Sequence, residues 1–226
     1  MHVVVLVHAA LGALILAFHI AIAAGCLLNL RRDRAGRAAP DAASLPRVEV
    51  VVALRNEVAA LPRLLDALGA QTDASCSYLF IDDRSTDGTG RLLDEFCART
   101  AARARVIHAA DEPVGLTGKQ VALDLAFQAA RGDVLLFTDG DCVPPPGWVR
   151  EMGAPFADPS VGVVLGRVEL PPGASFLGRF QAFEQPLLNQ YNFGSAGIGL
   201  PTGCFGNNMA VRTSALEETG GFRSLG

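Results

Sequence analysis

From Met1 to Leu30 the chain has no Asp, Glu, Lys or Arg. That absence excludes a solvated N-terminal arm, because a run of this length without charge is a stretch that avoids water. None of the five cysteines forms a C-x-x-C pair, so a zinc ribbon or a thioredoxin-like redox centre has no spacing to support it. There is no excess of positive charge either: 19 Lys and Arg stand against 23 Asp and Glu, and the net charge of −4 removes a basic nucleic-acid footprint. No internal repeat or low-complexity tract interrupts the 226 residues. "STDGTG" is not G-x-G-x-x-G, and "GLTGKQ" has two residues between its glycines with Gln120 after the lysine, so neither a dinucleotide fingerprint nor a Walker loop is written here.

The uncharged stretch is long enough for a bilayer, which needs about 20 apolar residues. Residues 1–30 are therefore expected to form a transmembrane helix, and 31–47, "RRDRAGRAAPDAASLPR", a juxtamembrane linker. Basic residues after the span and none before it favour a cytoplasmic C-terminal side and a place in the cell membrane. A cleaved signal peptide is the rival reading, since Ala21-Ile22-Ala23 fits a cleavage site, but a basic n-region is missing and the apolar run is too long. His8 and His19, eleven residues apart, fall on nearly one helix face and are read as neutral, satisfied imidazoles. With a cytoplasmic domain, Cys26, Cys76, Cys97, Cys142 and Cys204 are expected to be reduced thiols.

From Val48 onward strand-like and helix-like segments alternate. "VEVVVAL" (48–54), "SYLFID" (77–82), "ARVIHA" (104–109), "DVLLFTD" (133–139) and "VGVVLGRVEL" (161–170) read as strands. Between the first of them lie "EVAALPRLLDALGA", with Leu61, Leu64, Leu65 and Leu68 at helical spacing, "DGTGRLLDEFCARTAA" and "GKQVALDLAFQAARG". This order predicts an α/β fold, a mostly parallel sheet flanked by helices. In "SFLGRFQAFEQPLLNQY", Phe176, Phe180, Phe183, Leu187 and Tyr191 share one helix face, which either packs on the sheet or lies at a membrane surface, with Pro186 bending or delaying the helix.

In an open α/β sheet, ligands gather at the carboxyl ends of the strands. The first strand ends on Ala53-Leu54-Arg55-Asn56-Glu57, the second on Asp82-Asp83-Arg84, the fourth on Asp139-Gly140-Asp141. Acids converging at one edge repel unless a cation compensates them. Two carboxylates separated by a glycine can approach one hard cation, and Mg²⁺ or Mn²⁺ takes oxygen ligands and bridges them to substrate phosphates. The prolines at 144–146 then keep the following backbone out of a helix. Asp87 is read as a helix cap, and Arg55 either meets a phosphate or pairs with a neighbouring acid.

The pieces "VVALRNE", "IDDRSTDGT", "GLTGKQVALDLA", "LLFTDGDCVPPPGW" and "GCFGNNMAVRTSALEETGGF" together resemble the inverting, family-2 glycosyltransferases of the GT-A fold, especially the membrane-anchored kind that include cellulose, hyaluronan and ceramide glucosyl synthases. The resemblance covers 48–226 and implies a domain incomplete at its C-terminus. It implies a nucleotide-sugar donor, a lipid or glycan acceptor, and no nucleic acid. It implies that Ala53, Arg55 and Glu57 border the nucleoside, that Asp83 with Asp82 beside it accepts from the base N3–H of a uracil, and that Lys119 lies near the base or diphosphate. Asp139 would lie near ribose and sugar, Asp141 and Asp139 would hold Mg²⁺ or Mn²⁺, and Gly203, Cys204, Asn207 and Asn208 would line the acceptor side. The family's carboxylate base follows a "GGF"-like segment, here 220–222, so the base is expected beyond Gly226, while Glu217 and Glu218 are expected on a solvated helix. Two other readings stay open: a nucleotide-sugar-binding module without turnover, and, more weakly, a nucleotidyltransferase.

Overall fold

The structure is a computed structural model and describes residues 2–36, 46–72, 76–100, 103–110 and 118–225. Its contacts divide the chain into two compact units: Met1–Ala39 with Arg167–Phe205, and Pro40–Gly166 with Gly206–Gly226. Residues 167–205, read from the sequence as part of one domain over 48–226, thus group with the N-terminal helix.

The larger unit is built on one six-stranded sheet. Its strands are β1 (Val48–Leu54), β2 (Ser77–Asp82), β3 (Ala104–His108), β4 (Val134–Asp139), β5 (Val163–Leu165) and β6 (Met209–Arg212), in the order β3-β2-β1-β4-β6-β5. β1 to β4 are parallel to one another, whereas β6 runs antiparallel to both β4 and β5. Its helices are α2 (Leu61–Gly69), α3 (Thr89–Thr100), α4 (Lys119–Ala129), α5 (Trp148–Gly153) and α7 (Thr213–Glu218).

Strand side chains alternate between faces, and the alternation sorts the core into two layers. Val50, Val52, Leu54, Tyr78, Phe80 and Leu136 pack with Leu61, Leu64, Leu65 and Leu68 of α2, with Leu93 and Phe96 of α3, and with Trp148 and Val149 of α5. Val51, Leu79, Ile81, Leu135 and Phe137 point the other way, onto Ala122 and Ala126 of α4. A strand covered on both faces has no polar side to alternate with, which is why "VEVVVAL" is apolar at every position but one. Its one acid, Glu49, is fully buried and answered by Arg105 Nη2 at 2.9 Å and the Arg131 N–H at 2.7 Å.

Two strand expectations change. β5 covers three residues rather than 161–170, because its only sheet neighbour, β6, has four residues and the last bond is Gly166 N–H to Asn208 O at 2.8 Å. β6 itself is too short to show a period in sequence.

The smaller unit pairs two helices, α1 (His2–Gly36) and α6 (Phe176–Gly197). α1 is long and apolar enough to cross a membrane over His2–Arg32. It continues through 31–36 of the expected linker; 37–45 lie outside the described residues. The helices cross on glycines: a Cβ on Gly25 would run into the Gly194 carbonyl, and one on Gly197 into Gly25. Such close approach suits contacts made without a hydrophobic driving force. Asn29 Nδ2 donates to Phe193 O at 2.6 Å, and Arg32 Nη1 to Gly197 O at 3.2 Å. His8 and His19 each place Nδ1 2.7 Å from a carbonyl one turn back, and His19 Nε2 is 3.2 Å from the Tyr191 hydroxyl. α6 runs through Pro186, and Phe176, Phe180, Phe183 and Leu187 on its aromatic face are exposed.

Candidate active site

The register brings the acidic strand ends together. Leu54 lies opposite Asp82, and Ala53 opposite Asp139. Chain leaving β1 and β2 is then laced into one surface. Asn56 Oδ1 accepts from Thr86 N–H at 2.8 Å, and Ser85 Oγ accepts from Asn56 N–H at 3.0 Å. Thr89 Oγ1 accepts from Glu57 N–H at 2.8 Å. Asp87 does cap α3, accepting from Thr89 N–H at 3.0 Å, and its other oxygen accepts from Val58 N–H at 3.0 Å. The Thr89 hydroxyl, followed by these backbone donors, holds the Asp87 carboxyl below its ordinary range.

Two non-glycine residues among those described have positive φ, Asn56 at 56° and Arg84 at 58°. Asn adopts this region readily; Arg does so at a cost of about 1–2 kcal/mol. The turn after β2 is thus held in a shape its sequence does not prefer, a pattern found where structure serves a site. Its hydrogen bonds show what holds it. Asp83 N–H donates to Leu54 O at 2.8 Å, Arg84 N–H to Asp82 O at 2.9 Å, and Ser85 N–H to Asp82 Oδ1 at 3.1 Å.

The Asp83 side chain is only 6% exposed. Arg84 donates to its Oδ1 through Nε and Nη2, both at 2.8 Å, while Arg55 Nη1 stands 3.8 Å from Oδ2. Arg55 therefore pairs with a neighbouring acid. Asp82 is equally buried, with Oδ2 2.9 Å from His108 Nδ1.

At the end of β4, Asp139 forms an ion pair through Oδ1 with Lys119 Nζ. Lys119 opens α4 and is the only lysine in the sequence. The pair borders a cavity of about 170 Å³ whose lining includes Ala53, Thr138, Asp139, Met209 and Phe222. Phe222 is held there edge-on by Phe127 and Phe137, and Arg223 Nε donates to the buried Asp124 at 2.9 Å, so the "GGF" segment docks on α4. Glu57 is half-buried and reaches Gly140, where a Cβ would come within 3.0 Å of the Glu57 Cγ. Asp141 is exposed one residue further on. The carboxylates offer oxygen donors alone; among the described residues no three His, Cys, Asp or Glu side chains group as metal ligands. Residues 115–117 of the "GLTGK" segment lie outside the described residues.

The "GCFGNN" segment divides between the units after Phe205. Gly203 and Cys204 are exposed in the smaller one. In the larger one, Asn207 Nδ2 donates to Cys142 Sγ at 3.5 Å, directly after the acidic pair. Asn208 is packed more tightly: its Oδ1 accepts from Trp148 Nε1 at 2.9 Å, and a Cβ on Gly166 would overlap its side chain. Glu217 and Glu218 are exposed on α7, as expected. Sequence reasoning missed Arg84, Ser85 and His108. Strand-end alignment carried a signal for His108, which lies opposite Asp82 in the β2–β3 register.

Comparison with known proteins places the chain in a family. The sequence model described as glycosyl transferase family 2 matches residues 49–220. Glycosyltransferase AglE of Haloferax volcanii is 27% identical over 79% of this chain and 57% of its own length. The beta-monoglucosyldiacylglycerol synthase of Synechocystis is 27% identical over 78% of this chain and 37% of its own length. This chain therefore spans about half, or less, of the curated relatives it matches. Among solved structures, the mannosyltransferase PcManGT from Pyrobaculum calidifontis, in complex with GDP-Man and Mn²⁺, shares the fold with a TM-score of 0.61 at 23% identity, over 92% of this chain and 58% of that one. A match that covers most of the chain, on a sheet whose acidic strand ends converge, establishes that this protein belongs to glycosyltransferase family 2.

Proposed function

We propose that this chain carries the donor site of a membrane-anchored, metal-dependent glycosyltransferase that moves a sugar from a nucleotide diphosphate, with uracil as base, to a lipid or glycan acceptor with inversion. One observation supports the reading above others: Lys119 and Asp139 form an ion pair at the border of a cavity at the carboxyl ends of β1 and β4, with a second carboxylate, Asp141, two residues on. A cation and two anions at one sheet edge suit a ligand that brings both phosphate charge and a divalent ion.

Each residue has a task that its surroundings allow. Asp83, buried and oriented through Oδ1 by Arg84, accepts the N3–H of the base. Glu57 and Arg55 border the nucleoside on the β1 side. Lys119, released from Asp139, turns its ammonium to a diphosphate oxygen. Asp139 is then open to the ribose and sugar. Asp141 with Asp139 would hold Mg²⁺ or Mn²⁺, the hard oxygen donors both ions prefer, with the remaining positions left to phosphate and water. When bound, such an ion offsets the charge that builds on the departing nucleoside diphosphate. Inversion needs a carboxylate to deprotonate the acceptor hydroxyl, and we assign that role to none of the acids named here. Asn207 and Asn208 are assigned to the acceptor side.

The anchor is α1, whose large apolar side chains from Val3 to Leu28 are 41–73% exposed, the buried Ile22 apart, and unsuited to water. Arg31 and Arg32 after the span favour a cytoplasmic site. The glycolipid synthase among its relatives and the exposed aromatic face of α6 both favour a lipid acceptor. The test is UDP binding by the whole chain in detergent micelles, with and without Mn²⁺. Asp141→Ala is expected to weaken binding roughly tenfold or more and to remove the Mn²⁺ dependence. Unchanged affinity and unchanged Mn²⁺ dependence overturn the reading.

A further inference from the structure

His108 ends β3, in register with Asp82. Its Nδ1 is 2.9 Å from Asp82 Oδ2 and its Nε2 3.2 Å from Asp94 Oδ1. Both neighbours are acceptors when ionised. A neutral imidazole has one N–H and one lone pair, so it can serve one carboxylate and must turn its lone pair on the other. Only the doubly protonated ring satisfies both. Gly90 of α3 makes the space, since a Cβ there would come 2.6 Å from Asp82 Oδ2 and 3.2 Å from His108 Cε1. β3 is an edge strand among the described residues, and the charged groups facing the ring among them are Asp82 from β2 and Asp94 from α3.

The same Asp82 carboxylate pins the turn after β2. Its Oδ1 accepts from Ser85 N–H, and Ser85 Oγ accepts from Asn56 N–H. That turn carries Asp83 and the left-handed Arg84 that orients it. Freeing Oδ2 lets the carboxylate rotate, and rotation gives up the Ser85 bond.

We infer that His108 is a positioning residue for the nucleobase pocket: as an imidazolium bridging Asp82 and Asp94 it clamps the turn that presents Asp83, and donor affinity falls when the bridge deprotonates. This rests on the reading of Asp83 as the carboxylate that binds the base. The hydrogen bond that His108 donates to Asp82, then the one to Asp94, holds its pKa above the ordinary histidine value. A raised value means the bridge is intact below about pH 6.5 and is lost as pH rises through the raised value, not below it.

The experiment measures the affinity of the whole chain in micelles for UDP-glucose from about pH 6 to about pH 8.5, a range in which its diphosphate diester does not titrate. Wild type is expected to weaken roughly fivefold across that range. His108→Ala binds weakly throughout, with a flat profile. His108→Asn carries no charge and can donate to one carboxylate at most, as the deprotonated ring can, so it is expected to bind as wild type does at the high-pH end, with a flat profile. Asp94→Asn touches no donor group, yet removes one of the two anions that favour the imidazolium, so its profile moves to lower pH. A merely structural histidine would not move that midpoint. A flat wild-type profile, an unmoved midpoint in Asp94→Asn, or wild-type pH dependence in His108→Ala each overturns the inference while leaving the donor site standing. Failure of wild type to bind UDP-glucose at any pH overturns the donor site and this inference with it.

Discussion

Gly140 is pressed against Leu54: a Cβ on it would come within 2.9 Å of the Leu54 Cδ2 and 3.0 Å of the Glu57 Cγ. The contact joins the end of β4 to the end of β1 and explains why the residue between the two acids has no side chain. Gly140→Ala is therefore an overpacking change, expected to cost about 1–3 kcal/mol in stability. It should also push Asp139 and Asp141 outward and weaken Mn²⁺-dependent UDP binding. Thermal unfolding and calorimetry on the same preparation check both effects. A fully stable variant with unchanged UDP affinity would show that β1 yields easily, and that the glycine is not what sets the carboxylates.

Lys119 is the single lysine and the partner of Asp139. Lys119→Met keeps the aliphatic stem and removes the charge. UDP affinity is expected to drop roughly tenfold to a hundredfold, a loss of about 1.4–2.8 kcal/mol. Because Lys119 and Asp139 are both well exposed to solvent, folding stability should change by less than about 1 kcal/mol. Equal losses of stability and binding would mark the pair as structural.

The α1–α6 crossing depends on residues with no side chain. Gly194 lies against Ile22 and Cys26, and Cys26 Sγ is 3.6 Å from Gln190 O. With cysteine in place of Gln190, a short bismaleimide is expected to link it to Cys26 in native membranes. Adding Gly194→Leu inserts a side chain where backbone meets backbone and should abolish the link, at a cost of about 1–3 kcal/mol for the pair. Persistence of the link in that variant would place the helix contact elsewhere.

β1 to β4 and α2 to α4 were legible because each obeys one local rule. Strands buried on both faces read as apolar runs, and the leucines of α2 recur with the helical period. The acids at the strand ends were legible for a related reason: a run that stops on Asp139 or Asp82 marks its own carboxyl end. β6 was not legible, since four residues carry no period and its antiparallel partners lie far away in sequence.

The sequence by itself determined the apolar span, the alternation of strands and helices, and the acids at one edge, because these depend on the order of residues and on solvent alone. Tertiary structure alone decided the rest. Only the register of β2 with β3 sets His108 against Asp82, and only the approach of β1 to β4 forbids a side chain at Gly140. Only the packing of α1 against α6 takes residues 167–205 out of the sheet-based unit and into one with the N-terminal helix. The physical reason is the same in each case. A pairing between residues tens of positions apart depends on which surfaces meet, and a chain read one residue at a time holds no record of that.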